Sequence, residues 1–172
     1  MARPDLSRVP EWYHSYINQV VENDPGEALE KQSSSFAEFL QTIPVDKRNY
    51  RYAEGKWTIK EMLQHIIDTE RIFAYRALCF ARKDNTPLPG FDENSYAGNS
   101  KAGSRGWNEM VEEFNVVRKS TQILFRSFDK EQLETTGTAS GKPVYVLAIG
   151  FIIAGHITHH VNVIKERYIS TP

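Results

Sequence analysis

Hydrophobic residues recur at helical spacing in four long stretches of the chain, and no stretch shows the sustained alternation of a β-strand. The four predicted helices cover residues 25–43, 59–82, 107–128 and 143–169. A shorter segment, residues 10–21, precedes the first of them as a helical lead-in. The pattern therefore predicts an all-α protein in which amphipathic helices pack as a bundle.

Capping signals mark where three of these helices begin. Thr58 and Glu61 have the spacing of a capping box, in which each side chain bonds a free backbone N–H of the other residue. Asp24 stands as an N-cap before the first helix. The fourth helix is predicted to open at Pro143, because proline suits the first helical turn.

A long loop, residues 83–106, is predicted between the second and third helices, since prolines and glycines are frequent there. Phe91 and Tyr96 favour a packed loop over a floppy one. Asp92, Glu93 and Tyr96 are candidates to cover the mouth of a site, since loops placed in this way often carry specificity.

Length and charge restrict the class of protein. The chain has 172 residues, which fits one domain, and 21 Lys+Arg against 22 Asp+Glu give a net charge of -1. That balance argues against non-specific nucleic-acid binding. Cys79 is the only cysteine, so no internal disulfide can form. Because residues 1–15 also lack the apolar run of an export signal, we expect a cytoplasmic protein.

The fourth predicted helix tests the expectation of a soluble protein. Residues 144–163 contain no acid, lysine or arginine and are about as long as a membrane span. His156, His159 and His160 lie within this segment, however, and hydrocarbon penalises such polar side chains. A buried core helix is therefore the prediction, with no membrane partner.

Three of the five histidines occupy positions from which they could meet. His156 and His160 are four residues apart on the fourth helix, so their side chains are offset by only about 40°. His65 lies on the apolar side of the second helix, and two neighbouring antiparallel helices could bring the three rings together. His159 is rotated about 100° from His160 and could face another helix or a partner subunit. His14 is predicted at the surface.

Three inward imidazoles favour a divalent metal ion. A buried imidazole needs a partner for each ring nitrogen, and adjacent rings resist protonation, so a cation would satisfy both conditions. Three neutral histidine ligands leave one coordination position for water or substrate, as in catalytic zinc sites. Zinc, nickel, manganese and iron all suit such ligands. The alternative is that the His156/His160 spacing arises by chance and that His65 bonds a backbone carbonyl.

The sequence resembles the DinB-like superfamily of DinB/YfiT-like metalloenzymes. Three segments carry the resemblance, and together they are more specific than any one of them: WTIKEMLQHI at 57–66, TPLPGF at 86–91 and AGHITHH at 154–160. The likeness extends from about Ser34 to Tyr168 and implies a single DinB-like domain over residues 1–172. It further implies an up-down-down-up four-helix bundle and a homodimer. The family's metal ligands would correspond to His65, His156 and His160.

The resemblance implies a type of chemistry more readily than a substrate. Some relatives look like S-transferases that use a low-molecular-weight thiol such as bacillithiol, mycothiol or glutathione. The leading hypothesis is therefore a metal-dependent S-transferase or hydrolase that acts on a small molecule, with zinc or nickel preferred over manganese or iron. The alternative is a metal-binding or stress-response protein without turnover.

Several polar residues near His65 are candidates for roles in catalysis or substrate binding. Asp68 and Thr69, three and four residues beyond His65, could orient a ligand or a bound water, or could serve as surface solvation and a backbone-bonded hydroxyl. A polar stripe on the other side of the same helix could reach a substrate carboxylate, although inter-helix ion pairing is favoured. That stripe consists of Glu70, Arg71, Tyr75 and Arg76. With Tyr96 of the loop, Arg71 and Tyr75 are the predicted substrate-binding residues.

Overall fold

The computed structural model describes residues 3–169, so the first two and last three residues of the predicted domain, 1–172, lie outside the described residues. Most of the described chain is helical, with one two-stranded hairpin. The α-helices are α1 His14–Asn18, α2 Pro25–Gln41, α3 Ile59–Ala81, α4 Glu93–Asn99, α5 Trp107–Arg126, α6 Lys130–Glu134 and α7 Val146–Ile164. The strands are β1 Thr136–Ala139 and β2 Lys142–Tyr145, and a π-helical turn, Lys165–Ile169, follows α7.

Four long helices, α2, α3, α5 and α7, form the bundle and correspond to the four predicted from periodicity. Helices α2 and α3 each pack against both α5 and α7, while α1 lies along α7. All residues of α7 from Val146 to Ile157 are buried. One helix in the described chain, Val146–Ile169, is long and apolar enough to cross a membrane, but 72% of its apolar window is buried inside the protein. Its apolar surface is therefore used by the core of the bundle.

Contacts near the helix ends show which ends of the bundle helices lie together. Lys60, in the first turn of α3, donates a hydrogen bond of 2.7 Å to the carbonyl of Arg105, just before α5. The Tyr168 hydroxyl, after α7, donates one of 2.6 Å to the carbonyl of Trp57, just before α3. Helix α2 begins where α7 begins, because Pro25 packs on Gly150.

The predicted capping signals are present at the starts of α2 and α3. The Glu61 backbone N–H donates to the Thr58 hydroxyl at 3.1 Å, and the Thr58 backbone N–H donates to the Glu61 carboxylate at 2.7 Å. The Asp24 carboxylate accepts a hydrogen bond of 3.0 Å from the backbone N–H of Glu27. These reciprocal bonds satisfy donors that a helix leaves free at its first turn.

The prediction of a chain without strands, and of a fourth helix beginning at Pro143, is wrong. Residues 136–145 form an antiparallel hairpin, and α7 begins only at Val146. The turn consists of Ser140 and Gly141, with φ of 52° and 73°, as a two-residue type I′ turn requires. Pro143 lies in β2, whose other edge has no strand beside it, so its missing N–H costs no ladder hydrogen bond.

The segment predicted as a loop, residues 83–106, contains the short helix α4 and a 3-10 turn at Ala102–Ser104. The Asp92 carboxylate begins α4 by accepting hydrogen bonds from the backbone N–H groups of Asn94 and Ser95. Upstream, the backbone N–H of Leu88 donates a hydrogen bond of 2.9 Å to Thr138. The segment is therefore attached to the hairpin through its backbone, while the Tyr96 side chain is 47% exposed.

Candidate metal centre

His65 from α3 and His156 and His160 from α7 meet inside the bundle, and all three are buried. The Nε2 atom of His156 lies 3.1 Å from Nε2 of His65 and 2.9 Å from Nε2 of His160. The exposed fractions of the three residues are 5%, 6% and 8% in chain order. Each of the three side chains offers one nitrogen as a ligand, and these nitrogens all lie within 4.8 Å of one another. Within residues 3–169 this is the group of His, Cys, Asp and Glu side chains that could hold a metal ion. The predicted meeting of the three rings is observed.

The spacing of these nitrogens fits a divalent cation. Tetrahedral coordination with Zn–N bonds of about 2.0–2.1 Å places two nitrogens roughly 3.3 Å apart. The two closest Nε2 pairs, at 3.1 and 2.9 Å, need only a small expansion to reach that value. All three rings present the same atom to one point, and imidazole nitrogen is a ligand that zinc and nickel both accept.

Electrostatics keep the three rings neutral, which is the form that binds a metal. Burial lowers the pKa of His65 to about 4. Burial lowers the pKa of His156 well below its ordinary value, and repulsion from the neighbouring histidines lowers it further. The same two causes lower the pKa of His160. At neutral pH each ring therefore keeps a lone pair available.

Neighbouring side chains hold two of the rings in orientation. The Thr69 hydroxyl lies 3.4 Å from Nδ1 of His65, one turn along α3, which leaves Nε2 directed at the centre. The Tyr16 ring meets His156 edge-on, with 5.5 Å between ring centroids. The Nδ1 atom of His160 has no hydrogen-bond partner among residues 3–169.

Tyr16 reaches the centre because Gly155 lets α1 approach α7 closely. A Cβ atom at Gly155 would lie 2.0 Å from the backbone oxygen of Tyr16, which is an impossible contact. Only glycine therefore fits immediately before His156. His14, predicted at the surface, is instead partly buried, and its Nε2 lies 3.0 Å from Leu6 O and 2.9 Å from Val9 O. The lead-in segment is thus fixed against the bundle.

Beside the histidines lies a cavity of about 480 Å³, within the range of small-molecule sites. Its walls come from the lead-in segment, α3, the start of α4 and the turn of the hairpin. The lining residues are Trp12, Tyr13, Tyr16, His65, Thr69, Phe73, Arg76, Phe91, Asp92, Glu93, Asn94, Ser140 and His156. We call this space the main cavity.

His160 contributes to a different and smaller cavity of about 230 Å³. His159 also lines this smaller cavity and packs on Tyr16, with 5.4 Å between ring centroids. His159 does not belong to the three-histidine group. Asn94 lines both cavities. The histidine group therefore lies between two spaces.

Of the two predicted catalytic residues, Thr69 lines the main cavity and Asp68 does not. The Asp68 carboxylate accepts a hydrogen bond of 2.9 Å from the Gln64 side chain and lies 3.8 Å from the Arg71 guanidinium. It belongs to a group of charged side chains between α3 and α5. Burial raises its pKa.

The three predicted substrate-binding residues lie together, but away from the histidines. Arg71, Tyr75 and Tyr96 line a surface groove of about 310 Å³, which adjoins the main cavity at the shared residues Arg76 and Phe91. Arg71 also donates a hydrogen bond of 2.6 Å to Glu113 of α5, the inter-helix ion pairing that the sequence favoured for this stripe. Asp92 and Glu93 of the predicted loop do line the main cavity.

Sequence reasoning missed Tyr16 and Ser140 of the main cavity and did not place Arg76 there. Arg76 follows His65 by 11 residues, so the two side chains point within about 20° of the same direction on an ideal helix. This spacing could have predicted that Arg76 lies on the same side of α3 as His65. Ser140 gave no such signal, because it belongs to a hairpin turn and the sequence predicts no strands on either side of it. Tyr16 depends on the close approach at Gly155.

Comparisons with known proteins agree with this fold and site. Residues 28–164 match the family model of the DinB superfamily. This chain therefore belongs to the DinB superfamily, as the resemblance of its motifs predicted.

A solved structure of a second bundle protein has the same fold. It is YfiT from Bacillus subtilis, described as a probable metal-dependent hydrolase with an unusual four-helix bundle topology. The two share 14% sequence identity with a TM-score of 0.75, over 95% of this chain and 89% of YfiT. Among curated protein sequences, none matches this chain significantly.

Proposed function

We propose that this protein is a metal-dependent hydrolase that acts on a small molecule. The observation that carries the proposal is the convergence of three neutral imidazole Nε2 atoms, two of whose rings also line a cavity of about 480 Å³. Three protein ligands beside an accessible space are typical of catalytic sites, whereas structural zinc sites have four protein ligands. The description of YfiT as a probable metal-dependent hydrolase supports the same class of reaction.

The cation would lower the pKa of a water molecule toward neutrality and so supply a nucleophile. Thr69 holds His65 in orientation, and the rings of Phe73 and Phe91 limit access of bulk water. Burial raises the pKa of Tyr16, so its phenol stays protonated and can donate a hydrogen bond to negative charge that develops on a substrate oxygen. Glu93, at the exposed rim of the same cavity, is a carboxylate available to accept a proton.

A second candidate function is thiol-dependent S-transfer, and the second cavity favours it. Because the histidine group lies between spaces of about 480 and 230 Å³, a thiol and an electrophile could approach from different sides. The same cation would stabilise a thiolate. Bacillithiol, mycothiol and glutathione are the thiols to test. Zinc or nickel is the proposed metal, because all three ligand atoms are imidazole nitrogens.

We further propose the up-down-down-up arrangement for α2, α3, α5 and α7. It is supported by the start of α3 lying beside the start of α5 and the end of α7, and by the start of α2 lying beside that of α7. A homodimer, a cytoplasmic location and the absence of nucleic-acid and membrane partners stay predictions.

Metal analysis of the purified protein tests the site. We expect near-stoichiometric divalent metal in the wild type and a large loss in His65→Ala, His156→Ala and His160→Ala. His159→Ala is the matched control, since it removes an identical ring next to the group and should leave the metal content unchanged. Full metal content in any of the three variants would exclude that residue as a ligand.

Activity of the metal-loaded protein tests the reaction. We expect chelator-sensitive hydrolysis of activated esters or amides, and S-transfer would instead require an added thiol. A metal-loaded protein that is inactive in both assays, across a broad panel of substrates, would favour the alternative of metal binding without turnover.

A further inference from the structure

Arg76 is a buried cation that faces the main cavity. Its exposed fraction is 2%, and its Nη2 atom donates hydrogen bonds of 2.8 Å to the Pro89 carbonyl and 3.2 Å to the Ser140 hydroxyl. The guanidinium also lies 5.2 Å from the centre of the Phe73 ring. The Pro89 carbonyl, the Ser140 hydroxyl and the Phe73 ring are all uncharged. Burial accordingly lowers the pKa of Arg76, although the facing Tyr13 phenol opposes the change.

The other buried arginine has a carboxylate partner within the protein. Arg118 forms two hydrogen bonds of 2.8 Å to Glu70, and both side chains are almost completely buried. Across residues 3–169, by contrast, no carboxylate forms an ion pair with Arg76. Buried charges are costly unless they are paired, so the chain leaves the charge of Arg76 available for an anion from outside.

Arg76 and His65 face the same space from one rigid helix. They are 11 residues apart on α3, which places them about 16 Å apart along the axis and within about 20° of the same direction. Both residues line the main cavity. A molecule held by Arg76 at one end could therefore place its other end near the three histidines.

Ser140 completes this end of the cavity. Its φ of 52° is the left-handed conformation that the type I′ turn of the hairpin requires. The backbone N–H of Ser140 donates a hydrogen bond of 3.1 Å to Leu88, which fixes the turn. Because the Ser140 hydroxyl accepts from Arg76, its own proton stays available to donate to an anion.

We propose that Arg76 and Ser140 form a subsite that binds a carboxylate group of the substrate, at the end of the main cavity away from the histidines. A guanidinium edge and a hydroxyl supply the donors that one carboxylate accepts. That the carboxylate belongs to a molecule converted at the histidines rests on the function proposed above.

A singly charged carboxylate fits this cavity better than a phosphate. Arg76 supplies the positive charge among the residues that line the main cavity. Two acids, Asp92 and Glu93, line the same cavity at its exposed rim. Those two acids repel a doubly charged anion more strongly than a singly charged one. The Asp92 carboxylate is moreover occupied by the first turn of α4.

Calorimetric binding of phenylacetate and of its uncharged counterpart phenylacetamide tests the subsite. The two probes have nearly the same shape, so a difference in affinity reports the charge. We expect the wild type to bind phenylacetate about tenfold more tightly than phenylacetamide, as one charge-assisted hydrogen bond implies. Equal affinity, no detectable binding of either probe, or tighter binding of benzyl phosphate than of phenylacetate would overturn the proposal.

Two variants and one control locate the charge effect. Arg76→Met should weaken phenylacetate binding about tenfold and abolish the preference over the amide. Ser140→Gly should weaken it by about threefold; it removes the hydroxymethyl side chain, and glycine accepts the positive φ, so the turn keeps its conformation. Arg126→Gln makes the same change of charge at an exposed site outside the cavity and should leave both affinities unchanged. A carboxylate preference that survives both Arg76→Met and Ser140→Gly contradicts the subsite.

Repeating the titrations with zinc-loaded and chelator-treated protein separates this proposal from the proposed function. The subsite predicts the same preference for phenylacetate in both. A preference that requires zinc and does not respond to Arg76→Met would show binding at the histidines and would overturn the subsite alone. If the protein binds neither zinc nor nickel but keeps the preference, the subsite stands and the proposed hydrolase fails.

Discussion

Arg118 and Glu70 form a bidentate ion pair in the centre of the bundle, with side-chain exposure of 0% and 2%. The pair joins α5 to α3, and Arg118 also donates a hydrogen bond of 3.2 Å to Gln32 of α2. Three of the four bundle helices are therefore linked by one guanidinium, whose partner Glu70 directly follows Thr69 on α3.

Removing the charge of Glu70 should destabilise the protein strongly. Glu70→Gln keeps the size of the side chain but leaves the buried Arg118 without an anion, so we expect a loss of about 3–5 kcal/mol in the free energy of unfolding. Urea denaturation followed by circular dichroism measures it. Glu131→Gln breaks the exposed pair with Lys83 and should cost far less, because water screens that pair. Similar losses in the two variants would contradict the role assigned to the buried pair.

The metal-free protein should lose stability on acidification between about pH 6.5 and pH 4. The pKa of His65 is about 4 in the folded protein against 6.5 for the ordinary group, so the unfolded chain takes up its proton first as the pH falls. The contribution of His65 is about 3 kcal/mol, and the lowered pKa values of His156 and His160 act in the same direction.

Urea denaturation at several pH values, after treatment with chelator, measures this dependence. His65→Gln cannot take up the proton and should show a weaker loss on acidification. An identical pH dependence in the variant and the wild type would mean that His65 is not held neutral by burial.

Thr69 and Asp68 should differ in their effect on metal affinity, although they are adjacent. Thr69→Val keeps the shape but removes the oxygen next to Nδ1 of His65, so affinity for zinc should fall about 10- to 100-fold. Thr69→Ser should restore most of it. Asp68→Asn should change the affinity little, because that carboxylate bonds Gln64 outside the cavity. Competition with a chromophoric chelator measures all three, and a larger effect of Asp68→Asn would reverse the assignment.

Gly155→Ala should displace α1 from the metal centre. The added methyl group would lie 2.0 Å from the backbone oxygen of Tyr16, so the lead-in segment must move, at a cost of about 1–3 kcal/mol. Hydrogen exchange should show weaker protection of residues 14–18. Gly98→Ala in α4, where nothing lies within 4 Å, should be neutral or slightly stabilising. Unchanged protection in Gly155→Ala would contradict the close approach.

The bundle helices and the three histidines were predictable because their signals are local. Thr58 and Glu61 mark the start of α3 within four residues, and the spacing of His156 and His160 specifies a shared face of α7. The hairpin was not predictable in the same way. Its strands are four residues long, and β1 and the turn each form one hydrogen bond with Leu88, about fifty residues away in the chain.

By itself the sequence determined the four bundle helices and the shared face of His156 and His160, because helix periodicity and capping act between residues a few positions apart. Tertiary structure alone decided that Arg118 received Glu70 as its partner while Arg76 received Pro89 and Ser140. It also decided that Tyr16 contacts His156. Burial and pairing of charge depend on segments brought together by the packing of the whole chain, and spacing along one helix carries no information about them.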